Sequence, residues 1–230
     1  MHKPLISVII PAYNEEKHIE KSLISIINSS YKNYELIVVC DSCSDKTEEI
    51  SKKYTENIYS IDHKNVSKTR NYGAHKAKGD ILVFFDADTI CSENYFLSIV
   101  EAMNSGFDYG CSEIVSESGT RKGKFVTKRM NLFNKENKTI GGNCFVKKDH
   151  FLKVKGFDNS LVIGEDTDLG NKLRENNAKY IFIKDSHIIT SERRFKAYWH
   201  VNYFSSSLKN SFLYYISRKK YKKVYSKKVI

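Results

Sequence analysis

Leu5-Ile6-Ser7-Val8-Ile9-Ile10, Glu35-Leu36-Ile37-Val38-Val39-Cys40 and Ile81-Leu82-Val83-Phe84-Phe85 are short apolar runs, and each stops abruptly at a polar loop. Runs of this length, rich in β-branched residues, read as buried strands. The first is followed by Pro11-Ala12-Tyr13-Asn14-Glu15-Glu16 and then by Ile19, Leu23, Ile26 and Ile27 at helical spacing. The second leads into Asp41-Ser42-Cys43-Ser44-Asp45 and a helix from about Lys46 to Tyr54. A further strand is predicted near Ile58 to Ile61, with Ser67 capping a helix that ends at Gly79, just before the third apolar run. Strands alternating with helices imply an α/β domain whose central sheet is mostly parallel, with helices on both faces. Ligands of such sheets bind beyond the carboxyl ends of the strands, so the loops at Pro11, Asp41 and Asp86 crowd one rim.

The third run ends in Asp86-Ala87-Asp88. If the strand persists through them, the two carboxylates project to one side and Ala87 to the other. Adjacent anions repel, and a divalent cation with oxygen ligands, Mg²⁺ or Mn²⁺, makes such a pair favourable and can hold a diphosphate. The other reading is an Asp86 that caps a turn where the strand gives way.

Four motifs in order, Pro-Ala-Tyr-Asn-Glu from Pro11, Val-Val-Cys-Asp-Ser-Cys-Ser-Asp-Lys-Thr from Val38, Arg70-Asn71-Tyr72-Gly73-Ala74 and Phe-Phe-Asp-Ala-Asp-Thr from Phe84, resemble the family 2 glycosyltransferases of the GT-A fold. Gly141-Gly142-Asn143-Cys144-Phe145 and Gly164-Glu165-Asp166-Thr167-Asp168-Leu169 extend the resemblance over roughly residues 5 to 194. It implies a nucleotide-sugar donor whose base and ribose lie among Pro11, Tyr13, Glu15 and Asp41, with Arg70 near the diphosphate. Asp86 would meet the ribose or the metal, and Asp88 would be the firmest metal ligand. Side-chain chemistry agrees: carboxylates accept from base N–H groups and ribose hydroxyls, and a guanidinium matches phosphate oxygens bidentately. Taken singly, each has a plainer reading. Glu15 and Glu16 suit a helix N-terminus, Asp41 suits a turn, and Arg70 suits a solvated helix face.

The segment from Gly164 opens a predicted helix through Leu173 to about Asn176. Three carboxylates at its start complement the helix dipole, and Asp168 is read that way. By the resemblance, Asp166 is the general base that takes the proton of an acceptor hydroxyl. The metal at Asp88 and the cation of Arg70 would then neutralise the leaving nucleoside diphosphate, in a single in-line displacement with inversion. Two departures bear on this. Many processive family members carry Gln-x-x-Arg-Trp after the Glu-Asp pair; Ser191-Glu192-Arg193-Arg194-Phe195 stands there instead, which argues against a polymer synthase. Some members use a histidine near His187 as an extra metal ligand, although a lone histidine is more often structural.

Charge is distributed unevenly. Residues 193 to 230 hold eleven Lys and Arg and no Asp or Glu, so residues 1 to 192 balance at 27 basic and 27 acidic out of totals of 38 and 27. The tail also carries Val201, Phe204, Leu208, Phe212 and Tyr215 at helical spacing. That pattern describes either a helix lying on an anionic membrane or a C-terminal helix packed on the domain with a solvated basic end. Nucleic acid ranks lower as a partner, because the excess charge is confined to the tail. The expected organisation is a catalytic domain over 1–194, with a nucleotide-sugar half at 1–110 and an acceptor half at 111–194, followed by a basic aromatic tail at 195–230. The start Met1-His2-Lys3-Pro4 has no signal-peptide character, and no apolar run approaches the ~20 residues of a spanning helix. Five scattered cysteines suit free thiols in a reducing compartment, and Cys40 and Cys43 lack the second pair a zinc site needs. These features point to a cytoplasmic enzyme, peripheral on the membrane if the tail engages it. A glycan, carried by a lipid or not, is the expected acceptor. A sugar nucleotidyltransferase also uses paired carboxylates on a similar fold, but its Gly-rich, basic N-terminal loop has no counterpart before Pro11.

Overall fold

The computed structural model describes residues 3–141, 143–161 and 164–191. Fifteen elements follow in chain order among them: β1 (Ile6–Ala12), α1 (Ile19–Ile27), β2 (Tyr34–Asp41), α2 (Thr47–Ser51), β3 (Ile58–Ile61), α3 (Val66–Lys76), β4 (Ile81–Phe84), β5 (Thr89–Cys91), α4 (Tyr95–Asn104), β6 (Tyr109–Ser116), α5 (Arg121–Asn137), β7 (Cys144–Lys147), α6 (Lys148–Lys153), α7 (Glu165–Glu175) and β8 (Tyr180–Thr190). The strands form one sheet in the order β3-β2-β1-β4-β7-β6-β8-β5. β3, β2, β1 and β4 run parallel, as do β6 and β8, while β7 and β5 are antiparallel to their neighbours. The line between residues 110 and 111 falls inside β6, and one sheet runs through both halves.

β1 explains why the core has two layers. Ile6, Val8 and Ile10 join an apolar cluster with α1 and α4, while Ile9 joins a second cluster with α3 and Phe151 on the opposite face. A strand buried on both faces needs the near-continuous apolar run that this one has. Each fully buried aliphatic side chain contributes roughly 1.5–3 kcal/mol, which makes β1 the keel of the fold. α3 reaches the sheet through Gly73, where a Cβ would lie 2.5 Å from Ile9 Cγ2. Any larger residue would push the helix, and Arg70 with it, off the strand.

Two local expectations change. The helix carrying Arg70 is capped by Asn65, whose side chain accepts from Lys68 N; Ser67 lies inside it and donates instead to Leu161 O. Asn65 wins because its backbone is extended, as a cap must be, and its oxygen reaches the third helical amide. The strand before Asp86 ends at Phe84, and residues 86–89 form a turn closed by Thr89 N donating to Asp86 O at 3.1 Å. Asp86 and Asp88 therefore sit in a turn rather than on a strand. Ala87 is still buried between them. The predicted helix in residues 195–230 lies outside the described residues, as do Arg193 and Arg194.

Candidate active site

The rim begins where β1 and β2 end. Asn14, in a left-handed conformation at φ 52, accepts from Ser44 N at 2.8 Å, and Glu15 N donates to Thr47 Oγ1 at 2.7 Å. Glu16 and Asp45 exchange further bonds with the same two loops. Pro11 lies within the end of β1, opposite Val39, rather than in the loop; the loop holding Tyr13 and Glu15 is thus stitched to the loop after Asp41, while Tyr13 stands 60% exposed.

Asp41 is buried with both oxygens occupied. Oδ1 accepts from His63 N at 2.7 Å and Lys64 N at 2.8 Å, and Oδ2 from Asn65 N at 3.0 Å and Thr69 Oγ1 at 2.7 Å. Burial alone would raise its pKa, but these donors hold it below the usual carboxylate value. The carboxylate organises the turn that launches α3.

One turn into α3 stands Arg70, mostly buried. Its Nη2 donates to Asp86 Oδ1 at 2.8 Å and its Nη1 to Glu165 Oε1 at 2.6 Å, and the guanidinium lies 5.4 Å from the centre of the Phe157 ring. Burial would lower its pKa, but Asp86 and Glu165 together raise it, so the cation is permanent. Among the described residues its Nε, also buried, has no hydrogen-bond partner. The bridge joins the turn after β4 to the first turn of α7. Asp86 has its second oxygen outside this bridge, and its carbonyl accepts from Ser22 of α1 at 3.4 Å.

Asp166 follows Glu165 in α7, which starts after Gly164 without a side-chain cap. Its Oδ1 accepts from Thr167 N at 2.6 Å. A Cβ on Gly141 would meet Asp166 Oδ2 at 3.2 Å, so a glycine lets the segment before β7 pass close to the carboxylate. Asn134 of α5 fixes that segment, donating to Gly141 O at 2.9 Å and accepting from Thr139 Oγ1 at 2.9 Å. Burial, and then the neighbouring Glu165 carboxylate, push Asp166 up to about 6 against the pull of Arg70. Asp168 lies in the first turn of α7, as the dipole reading expects, and is fully buried and ion-paired to Lys172 at 3.2 Å.

The structure brings Arg70, Asp86, Glu165 and Asp166 together, with half-buried Asp88 two residues from Asp86 in the same turn. It does not bring His187 to them. Thr89 pairs with Thr190 and Cys91 with Ile188, so His187 lies four register positions from the level of Asp88, roughly 13 Å along the strand. There its backbone exchanges hydrogen bonds with Ser92. Among the described residues no group of three or more His, Cys, Asp or Glu could hold a metal ion. Sequence reasoning gave Glu165 only a share in complementing the helix dipole, and no role to Asn134, Phe157 or Thr69. Only Glu165 carried a signal, its place beside Asp166; the others act across long stretches of chain.

Known proteins now give this geometry a class. The model of glycosyl transferase family 2 matches residues 7–160, and that of the N-terminal domain of galactosyltransferase matches residues 124–201. The chain belongs to glycosyl transferase family 2. It is 33% identical over 199 residues to the minor teichoic acid biosynthesis protein GgaB of Bacillus subtilis, covering 78% of this chain and 22% of that protein. It is 32% identical over 147 residues to WfgD of Escherichia coli, a UDP-Glc:alpha-D-GlcNAc-diphosphoundecaprenol beta-1,3-glucosyltransferase, covering 61% of this chain and 58% of that one. The fold matches S. aureus TarS 1-349 in complex with UDP-GlcNAc at a TM-score of 0.69, with 20% identity over 81% of this chain and 59% of that one. It matches the mannosyltransferase PcManGT of Pyrobaculum calidifontis, in complex with GDP-Man and Mn2+, at 0.70, with 18% identity over 86% and 60%. The architecture is that of GT-A glycosyltransferases, and the chain spans between about a fifth and three fifths of these four proteins.

Proposed function

We propose that the protein moves a sugar from a nucleotide-sugar, a UDP-sugar first among candidates, to a hydroxyl of a lipid-linked glycan, with inversion at the anomeric carbon. The observation that carries this reading is the Asp86–Arg70–Glu165 bridge, which holds the donor-side carboxylates in fixed relation to Asp166. The donors in the WfgD description and in the TarS and PcManGT complexes support a nucleotide-sugar, and the WfgD acceptor supports a lipid diphosphate carrier.

Pro11, Tyr13 and Glu15 line the base and ribose pocket, with Asp41 acting through the loop it orders. Arg70 meets the diphosphate as a permanent cation held in place by Asp86 and Glu165. Asp166 takes the proton from the acceptor hydroxyl. A carboxylate titrating near 6 is ionised at neutral pH yet more basic than an ordinary aspartate, which suits a general base. A polyprenyl phosphate acceptor, already ionised, would have no use for it. Asp88, with the second oxygen of Asp86, would hold a Mg²⁺ or Mn²⁺ ion, which would supply charge neutralisation for the leaving diphosphate. Among the described residues no helix is long and apolar enough to cross a membrane. A lipid-linked acceptor would therefore be met from the membrane surface, where the eleven cations of residues 193–230 favour anionic lipid.

The test is a melting panel of nucleotide-sugars with and without Mn²⁺. A true donor at about 100 times its dissociation constant stabilises by roughly 2.7 kcal/mol. A metal-dependent rise with one UDP-sugar is the expected result. A panel in which no nucleotide-sugar raises the melting temperature, with or without metal, would overturn the reading.

A further inference from the structure

Cys40-Asp41-Ser42-Cys43 joins the end of β2 to the rim, and the proposed reaction uses neither thiol. Cys40 belongs to the apolar cluster beneath α1, and half-buried Cys43 packs against that same cluster, so both side chains fall on one side of the chain. Between them Asp41 ends the extended strand and Ser42 is left-handed at φ 58. An extended residue followed by a left-handed one bends the chain as a type II turn does. Such a bend brings its first and fourth Cα atoms within about 7 Å, the span a disulfide closes. The bend is held from β3, where Ser42 N donates to Ile61 O at 2.8 Å and Ser42 Oγ to Asp62 Oδ1. Cys43 Sγ donates to Ala12 O at 3.3 Å, which ties the bend to the end of β1 just before Tyr13. A hydrogen bond between the two sulfurs holds Cys43 below the ordinary thiol value and Cys40 above it. Cys91, Cys111 and Cys144 are buried, and burial pushes each of those thiols up.

The thiolate is the form that attacks an oxidant, so a partly exposed sulfur of lowered pKa beside a second thiol is the arrangement of an oxidisable pair. We propose that Cys40 and Cys43 form a dithiol–disulfide modification site, oxidised by hydroperoxides, whose closure loosens the loop that carries Tyr13 and Glu15. In the first step the Cys43 sulfur attacks one peroxide oxygen, the O–O bond breaks, and the departing hydroxide takes the Cys43 proton to become water. In the second the Cys40 sulfur attacks the sulfenic sulfur, the S–S bond forms, and the sulfenic hydroxyl leaves with the Cys40 proton as another water. The sulfurs together give up two electrons and the peroxide takes both. A disulfide has no S–H, so the bond from Cys43 to Ala12 O is lost. Ser44, whose N donates to Asn14 Oδ1, is displaced along with Cys43. The effect on donor binding rests on the function proposed above; the disulfide itself does not.

The experiment treats the reduced full chain with stoichiometric hydrogen peroxide and maps its unreduced peptides by mass spectrometry, beside Cys40→Ala and Cys43→Ser. Wild type should yield a Cys40–Cys43 disulfide, two hydrogens lighter than the dithiol and reversed by dithiothreitol, with Cys91, Cys111 and Cys144 still reduced. In Cys40→Ala, Cys43 should stop at the sulfenic acid and be trapped by dimedone; Cys43→Ser should give neither product. Melting temperature checks that the variants fold, and Cys40→Val replaces Cys40→Ala if that one does not. Calorimetry with UDP and Mn²⁺ then compares the two forms of wild type. The disulfide should bind at least about tenfold more weakly, the scale of one hydrogen bond lost from the rim, and dithiothreitol should restore the affinity. A wild-type chain in which Cys43 oxidises while Cys40 remains a thiol would overturn the proposal, as would a disulfide form that binds UDP as tightly as the reduced one. A reduced chain that binds no UDP would count against the function proposed above and leave the mapping result to decide the disulfide.

Discussion

The proposed donor side and the proposed acceptor side of the candidate site are built by different means. Around the nucleotide-sugar motifs, β1, β2 and β4 each end where a polar loop begins, and the loops are fastened to one another by contacts between consecutive βα units. On the acceptor side, Asp166 is placed by groups far away in the chain: Gly141, Asn134 and, across 95 residues, the ion pair between Arg70 and Glu165. A site whose parts follow strands can be mended locally after mutation, whereas one held by long-range bridges fails as a unit.

The largest effect is expected on the donor side. Asp88→Asn should reduce transfer to background and remove Mn²⁺-dependent nucleotide binding while the melting temperature without ligand stays at the wild-type value. Full activity in EDTA would break the comparison at this point. Next comes Asp166→Asn, for which kcat should fall by roughly 10²–10⁴ with donor affinity nearly constant, the usual share of a general base. Its raised pKa adds two pH readouts. Wild-type kcat/KM should fall as pH drops through about 6, where the base protonates. Stability carries the opposite sign: the native state binds a proton more tightly than the unfolded chain, so ionising Asp166 costs stability that is lost as pH rises from about 4 to about 6. Asp166→Asn should therefore melt higher than wild type at pH 8 and no higher at pH 3.5. Equal loss of donor binding would make the residue structural.

Arg70→Met tests the bridge. Removing one partner of a buried pair leaves the others uncompensated, so a loss of about 3 kcal/mol or more is expected in denaturant titration. Because Arg70 lowers the pKa of Asp166, whatever activity survives should have its acid limb moved to higher pH. An unshifted limb would mean the bridge serves the fold and not the base. The smallest effect concerns Cys43, half-buried in the loop after β2, where the thiol of Cys40 holds its pKa below the ordinary thiol value. Among the five cysteines it should be alkylated first, and more slowly when a nucleotide-sugar occupies the rim, as peptide mass spectrometry would reveal.

The same asymmetry decides what could be read from sequence. The parallel half was legible because each strand is an apolar run of the right length and each loop begins with polar residues, so Pro11, Asp41 and Asp86 fall at strand ends without knowledge of any tertiary contact. The duty of Asp41 was not legible. Its hydrogen-bonding neighbours include three amides from residues 63 to 65, whose approach depends on how β3 lies against β2. Nor was the pairing of Arg70, since a guanidinium on a helix looks solvated until the partner helix α7 is known to dock beside it. The distance of His187 from Asp88 required the β5–β8 register, in which a shift of a few residues would have reversed the conclusion.

β5, three residues long, lies at the edge of the sheet and, among the described residues, pairs there with β8 alone, whose residues lie about a hundred positions further along. The turn bearing Asp86 and Asp88 is anchored on one side by β4 and on the other by this strand. During synthesis β5 cannot pair with β8 until Tyr180 to Thr190 have emerged. A nascent chain halted before that point carries every donor-side motif and lacks the strand that closes their last turn. The turn bearing Asp86 and Asp88 is thus closed from outside its own βα unit, by the last strand to join the described sheet, which acts as a clasp.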